Sequence, residues 1–132
     1  MGQSEKEIKP FRLKDRLKSF THAFSGIGVL IKQEHNARIH LVILILVIIA
    51  GTLLKIPSSG WISIVFAAGL VFISECFNTA IENLANVVSP EKNEKIKIAK
   101  DVAAAGVLLS AIISLIIGII VFLPAIMEIV RR

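Results

Sequence analysis

Residues 102–127 read VAAAGVLLSAIISLIIGIIVFLPAIM, a run with no ionisable side chain, and this stretch decides the fold. A helix crossing a bilayer needs about 20 consecutive apolar residues, and this run exceeds that. Working back along the chain, a second apolar stretch opens at Trp61, an amphipathic ring suited to a membrane interface, and a third occupies Ile39 to Leu54. The whole chain has 132 residues, 55% of them hydrophobic and only 19% charged, with a mean hydropathy of +0.77. Three spans would use about 60 positions, which leaves too little chain for a separate water-soluble core. An independent catalytic domain is thereby excluded. The single cysteine, Cys76, can form neither an intrachain disulfide nor a cysteine-based zinc site. The expected fold is an all-α membrane protein forming a single membrane domain over 1–132. Its parts are a cytoplasmic tail and surface helix (1–38), spans over 39–56, 61–86 and 102–127, and a cytoplasmic loop over 87–101.

Charge orients these spans. Residues 1–38 carry eight basic side chains against four acidic ones, and the stretch from Ser89 to Asp101 carries Lys92, Lys95, Lys97 and Lys100. The connector after the first span holds only Lys55, and the carboxyl end only Arg131 and Arg132. The positive-inside rule therefore places the amino terminus and the second connector in the cytoplasm, and the first connector and carboxyl terminus outside. Gly51-Thr52-Leu53-Leu54 lacks a small-x-small cleavage pattern, so the first span is expected to stay in the mature protein. The net charge of +5 is accounted for by cytoplasmic lysines beside anionic lipid, with no need of nucleic acid.

Before the first span, Leu13, Leu17, Phe20, Phe24, Ile27 and Leu30 or Ile31 recur at three- and four-residue steps, with Arg12, Arg16, Lys18 and Ser19 elsewhere on the turn. That pattern predicts a helix lying on the cytoplasmic membrane surface. Ser25-Gly26-Ile27-Gly28 is too short and poorly placed for a phosphate loop, and no Walker lysine motif occurs.

The second span departs from a plain membrane helix. After Ile73 comes Glu75-Cys76-Phe77-Asn78-Thr79-Ala80-Ile81-Glu82-Asn83. At 3.6 residues per turn, Glu75, Asn78, Thr79, Glu82 and Asn86 share one face, and the two carboxylates stand about 10 Å apart along the axis. That is too far to share a proton and suits two separate tasks. A carboxylate at membrane depth costs several kcal/mol unless partnered, so it marks a functional site by default. Two further polar groups of residues reach the same level: Glu34, His35, Asn36, Arg38 and His40 before the first span, and Lys100 with Asp101 before the third. Carboxylates with asparagine and no thiols suit a hard cation such as Mg²⁺, and lysine with arginine suits phosphate. His35 and His40 read as polar helix ends at the interface. Together these parts describe phosphoryl transfer from a soluble nucleotide to a lipid hydroxyl. The competing reading is a small channel or transport subunit with a polar second span; against it, Ile62 to Ile73 leaves no continuous polar path.

The strings Ser-Phe-Thr-His-Ala-Phe-Ser-Gly-Ile (19–27), Glu-His-Asn-Ala-Arg-Ile-His (34–40), Glu-Cys-Phe-Asn-Thr-Ala-Ile-Glu-Asn (75–83) and Ala-Lys-Asp-Val-Ala-Ala-Ala (99–105) resemble the small prokaryotic diacylglycerol kinase and undecaprenol kinase family. The resemblance runs from about Arg12 to Pro124. It implies a homotrimeric, multi-pass enzyme of the bacterial inner membrane, amino terminus inside, that transfers the γ-phosphate of MgATP to a lipid alcohol, either diacylglycerol or undecaprenol. Carried over by position, Glu75 matches the proton acceptor, and Glu34 and Glu82 match the metal-holding carboxylates, with Asn78 beside them. Lys100 and Asp101 match a pair that contacts nucleotide, and Glu91, Lys92 and Asn93 the loop that covers it. Three positions depart from the pattern. Asn86 replaces an aspartate common in relatives, and Ala23 replaces a small hydroxyl residue found in some. Asp15 falls where relatives carry a substrate-contacting arginine, which leaves Arg16 or Arg12 for that task.

Overall fold

The structure is a computed structural model that describes residues 12–89 and 93–131, with only the backbone of Asp15. The described residues form four helices: α1 (Leu13–Gln33), α2 (His35–Leu53), α3 (Ser58–Val88) and α4 (Glu94–Val130). The last three are each long and apolar enough to cross a membrane. Among the described residues the regular structure is thus all helix, with the three apolar helices and the amphipathic leader that the sequence predicts.

α1 carries its apolar stripe on the outside. Leu13, Leu17, Phe20, Phe24 and Ile27 are all exposed, and only Leu30, in the last turns, is buried. A stripe the chain itself leaves uncovered is the arrangement an interfacial helix needs. Glu34 then breaks the helix: its backbone is extended (φ −97°, ψ 119°), while its N–H still closes the last turn of α1 onto Leu30 O at 2.9 Å. α2 starts at the next residue, with Ala37 fully buried in its first turn.

The α2–α3 turn is built by three residues. Lys55 adopts φ 53°, a left-handed conformation that costs an L-residue roughly 1–2 kcal/mol, and this lets the chain reverse within four positions. Ile56 is buried beneath the turn, and Pro57 accepts at its carbonyl from the N–H groups of Gly60 (2.9 Å) and Trp61 (3.2 Å). Gly51 leaves room for Trp61 to cross the end of α2, since a Cβ there would stand 3.0 Å from the indole ring.

α3 and α4 form the main packed pair. The buried positions of α3, Gly60, Ile64, Ala67, Val71, Glu75 and Asn78, follow three- and four-residue steps, and Val107 and Ser110 are their buried counterparts on α4. Hydroxyls fasten the seam. Ser74 Oγ and Ser110 Oγ lie 2.7 Å apart, and Ser114 Oγ donates across the interface to Ala67 O at 3.0 Å. Ser74 and Ser110 also lie 2.8 Å from the carbonyls of Val71 and Val107 on their own helices. Each hydroxyl has one proton, so one donates across the seam and the other back to its own helix.

Both long helices outrun the expected spans. α3 has 31 residues and α4 has 37, about 46 and 55 Å at 1.5 Å per residue, against roughly 30 Å of hydrocarbon. The stretch expected as a loop over 87–101 is therefore largely helical: α3 continues to Val88, and residues 94–101 are the first two turns of α4. Asn93 explains the early start. Its Oδ1 accepts from Lys95 N (2.9 Å) and Ile96 N (3.4 Å), and Glu94 supplies negative charge to the first turn.

Candidate functional site

The polar face of α3 runs from dry to wet over three turns. Glu75 is 1% exposed and is the largest fully buried side chain among the described residues; Asn78 and Thr79 are also buried, Glu82 is half-buried and Asn86 is exposed. The helical spacing brings Asn78 and Glu82 together, with Asn78 Nδ2 donating to Glu82 Oε1 at 3.2 Å. Across from the exposed end, Lys100 Nζ on α4 donates to Asn86 Oδ1 at 3.3 Å. This places the lysine of the expected Lys-Asp pair beside the water-facing end of the α3 face. Asp101 is exposed beside it.

The corner at Glu34 is the third side of this site. Because α1 packs on both α2 and α3, the extended residue between α1 and α2 is carried toward α3. Arg38, one turn on, directs Nε toward the Glu34 carbonyl at 3.4 Å. Arg16 lies exposed in the first turn of α1. Asn93 serves as the cap of α4, whereas Glu91 and Lys92 lie outside the described residues.

Three buried oxygens at the site have no hydrogen-bond partner: Glu75 Oε1, Asn78 Oδ1 and Thr79 Oγ1. Natural proteins seldom leave such atoms unsatisfied, since each costs on the order of 1–3 kcal/mol. Asn78 turns its nitrogen to Glu82, which leaves its oxygen free to accept a hydrogen bond or to coordinate a cation. An orphaned amide oxygen with the Glu34 and Glu82 carboxylates is a hard-oxygen set that fits Mg²⁺. Among the described residues no three His, Cys, Asp or Glu side chains gather into a metal cage.

His40 occupies a place the sequence reading did not assign. It was expected as a polar helix end, but its Nε2 lies 3.4 Å from Glu75 Oε1. It also lines an apolar cavity of about 530 Å³ between α2, α3 and α4, whose walls include Val47, Ile64, Phe72, Leu115 and Phe122. A helix pattern shows which residues share a face, not which neighbouring helix that face meets.

The family described as prokaryotic diacylglycerol kinase matches this chain over residues 21–122. An undecaprenol kinase of Bacillus subtilis (strain 168) is 37% identical over 107 residues, covering 81% of this chain and 87% of that protein. A diacylglycerol kinase of Synechocystis sp. (strain ATCC 27184 / PCC 6803 / Kazusa) is 35% identical over 113 residues, covering 85% of this chain and 65% of that longer protein.

Proposed function

The chain belongs to the prokaryotic diacylglycerol kinase family and is a membrane lipid kinase; from that premise we propose that it transfers the γ-phosphate of ATP to the hydroxyl of diacylglycerol or undecaprenol, with Glu75 as the general base. The channel reading falls with that membership. The observation that carries the proposal is the position of Glu75, a fully buried carboxylate 3.4 Å from His40, which lines an apolar cavity. A lipid tail is the kind of ligand such a cavity takes up, and a hydroxyl at its polar end meets a carboxylate able to accept its proton.

The remaining side chains divide the work along the α3 face. Glu34 and Glu82, with the free oxygen of Asn78, would hold Mg²⁺ near the triphosphate. The chemistry that ion supplies when bound is neutralisation of phosphate charge. Lys100 and Asp101 contact the nucleotide at the wet end, and Arg16 on α1 adds a cation for its phosphates. Asn93, with Glu91 and Lys92, covers it from the α3–α4 connector. Seven residues separate Glu75 from Glu82, so the proton acceptor and the metal carboxylate act at different depths without competing. The enzyme assembles as a homotrimer in the bacterial inner membrane with its amino terminus in the cytoplasm. Exposed apolar side chains along all three long helices supply the surface for lipid and for neighbouring copies.

Transfer of labelled γ-phosphate from ATP to diacylglycerol and to undecaprenol, each supplied to the purified protein in mixed micelles, tests this reading. Label in one of the two lipids is expected. No transfer to either would overturn it.

A further inference from the structure

On the reading above, Glu75 works from a buried position. The proton it accepts must leave before the next turnover, and its side chain is 1% exposed. Glu75 Oε1 has no hydrogen-bond partner, yet His40 Nε2 stands 3.4 Å away. The His40 side chain is 21% exposed, so it reaches further out of the bundle than the carboxylate does. Of the side chains lining the apolar cavity, His40 alone is ionisable. The Ser114 hydroxyl there already donates within the helix pair. Glu34 and Glu82 are carboxylates and take no part in receiving its proton in this scheme.

We propose that His40 acts through Glu75, relieving the carboxylate of the proton that it accepts in each transfer. This rests on the reading of Glu75 as the base. The lipid oxygen forms a bond to the γ-phosphorus as the bond from that phosphorus to the β,γ-bridging oxygen breaks, and ADP leaves with the electron pair. The hydroxyl proton passes to the Glu75 carboxylate, then to the bare Nε2 of His40 in its Nδ1–H form; the imidazolium releases one proton to water, and proton exchange between its two nitrogens restores the bare Nε2. Atoms and charge balance with one proton released per phosphate transferred. A neutral imidazole can accept on one nitrogen and release from the other, which no other side chain around the cavity can do.

The test compares His40→Ala, His40→Gln, Glu75→Gln and the double variant His40→Ala/Glu75→Gln in the full chain, each checked for assembly in detergent. Rates are measured at saturating lipid and ATP. His40→Ala is expected to lower kcat by about tenfold or more, the lower part of what proton transfer supplies, with the KM for ATP unchanged and with part of the rate restored by added imidazole. His40→Gln keeps the size and an amide donor but cannot take a proton, so its rate should stay low. The double variant should be no slower than Glu75→Gln alone, because the two groups act as one unit. A wild-type rate in His40→Gln overturns the proposal, and this variant decides the matter where His40→Ala does not assemble. So does a rise in the KM for ATP that accounts for the whole loss, an absence of imidazole rescue, or losses that multiply in the double variant. If Glu75→Gln is slow while both His40 variants are fast, only the role of His40 fails. If Glu75→Gln is itself fast, the reading of the base fails with it.

Discussion

At the scale of single residues, the candidate site divides by depth, and its two kinds of carboxylate should respond differently to the same change. Glu75→Gln keeps shape and volume but loses proton acceptance. Its transfer rate should therefore fall about 10²–10⁴-fold, the range of general-base assistance, while ATP affinity is kept. A fall in ATP affinity on the same purified variant would move Glu75 into the metal site. Glu82→Gln should do the reverse. It leaves the base in place and removes a hard ligand, so Mg²⁺-dependent nucleotide binding should weaken while assembly survives; titration of ATP binding against Mg²⁺ checks this. If Glu34→Gln and Glu82→Gln both keep the wild-type metal dependence, these acids are interfacial charges only. The sequence already showed Glu75, Asn78, Glu82 and Asn86 on one face, because helical periodicity alone determines it. The approach of His40 to Glu75 was not legible, since it depends on how α2 meets α3 rather than on either helix alone.

At the scale of the helices, the site depends on the register between α3 and α4. Glu75 adjoins Ser74, whose hydroxyl meets Ser110 at 2.7 Å, so the seam that joins the helices lies next to the candidate base. Interhelical hydrogen bonds in membranes contribute on average about 0.6 kcal/mol and up to about 2. Ser110→Ala should destabilise the folded protein by an amount in that range, and Ser74→Ala by a similar amount. Replacing both should cost little more than replacing one, because the interaction is lost with either partner. Unfolding in detergent titrated with a denaturant measures all three; strictly additive losses would show that the two hydroxyls bond only to their own helices. Ser110 and Ser114 stand one turn apart in an otherwise apolar run, which marks a polar stripe in the sequence. Their partners on α3, Ser74 and the carbonyl of Ala67, are set only by packing. The cap at Asn93 has a similar history: Asn followed by Glu is a readable helix start, yet the run of lysines after it reads as loop when hydropathy is the only guide. Charged residues such as Lys and Glu form helix well in water, and α4 consequently begins two turns before its apolar part.

At the scale of the whole molecule, three spans and an uneven charge distribution predict the two ends on opposite sides. A reporter fused after Arg132 should lie outside the cytoplasm and one at the amino terminus inside. Both reporters on the cytoplasmic side would mean an even number of spans, and the three-span arrangement of the site would fail. Length, charge-free runs and the amphipathic leader determined the class of this protein from the sequence alone. Lipid imposes one requirement, that backbone polar groups be satisfied inside a helix, and any chain of this hydropathy must meet it the same way. The motif strings narrowed that class to a lipid kinase through their resemblance to a known family. Which groups meet was decided only in three dimensions. The junction at Glu34, the reversal at Lys55 and the small-residue seam between α3 and α4 bring His40 to Glu75 and Lys100 to Asn86. In lipid, hydrophobicity does not choose between one apolar helix face and another, so close packing and a few hydroxyl bonds choose instead, and neither can be read from a single helix.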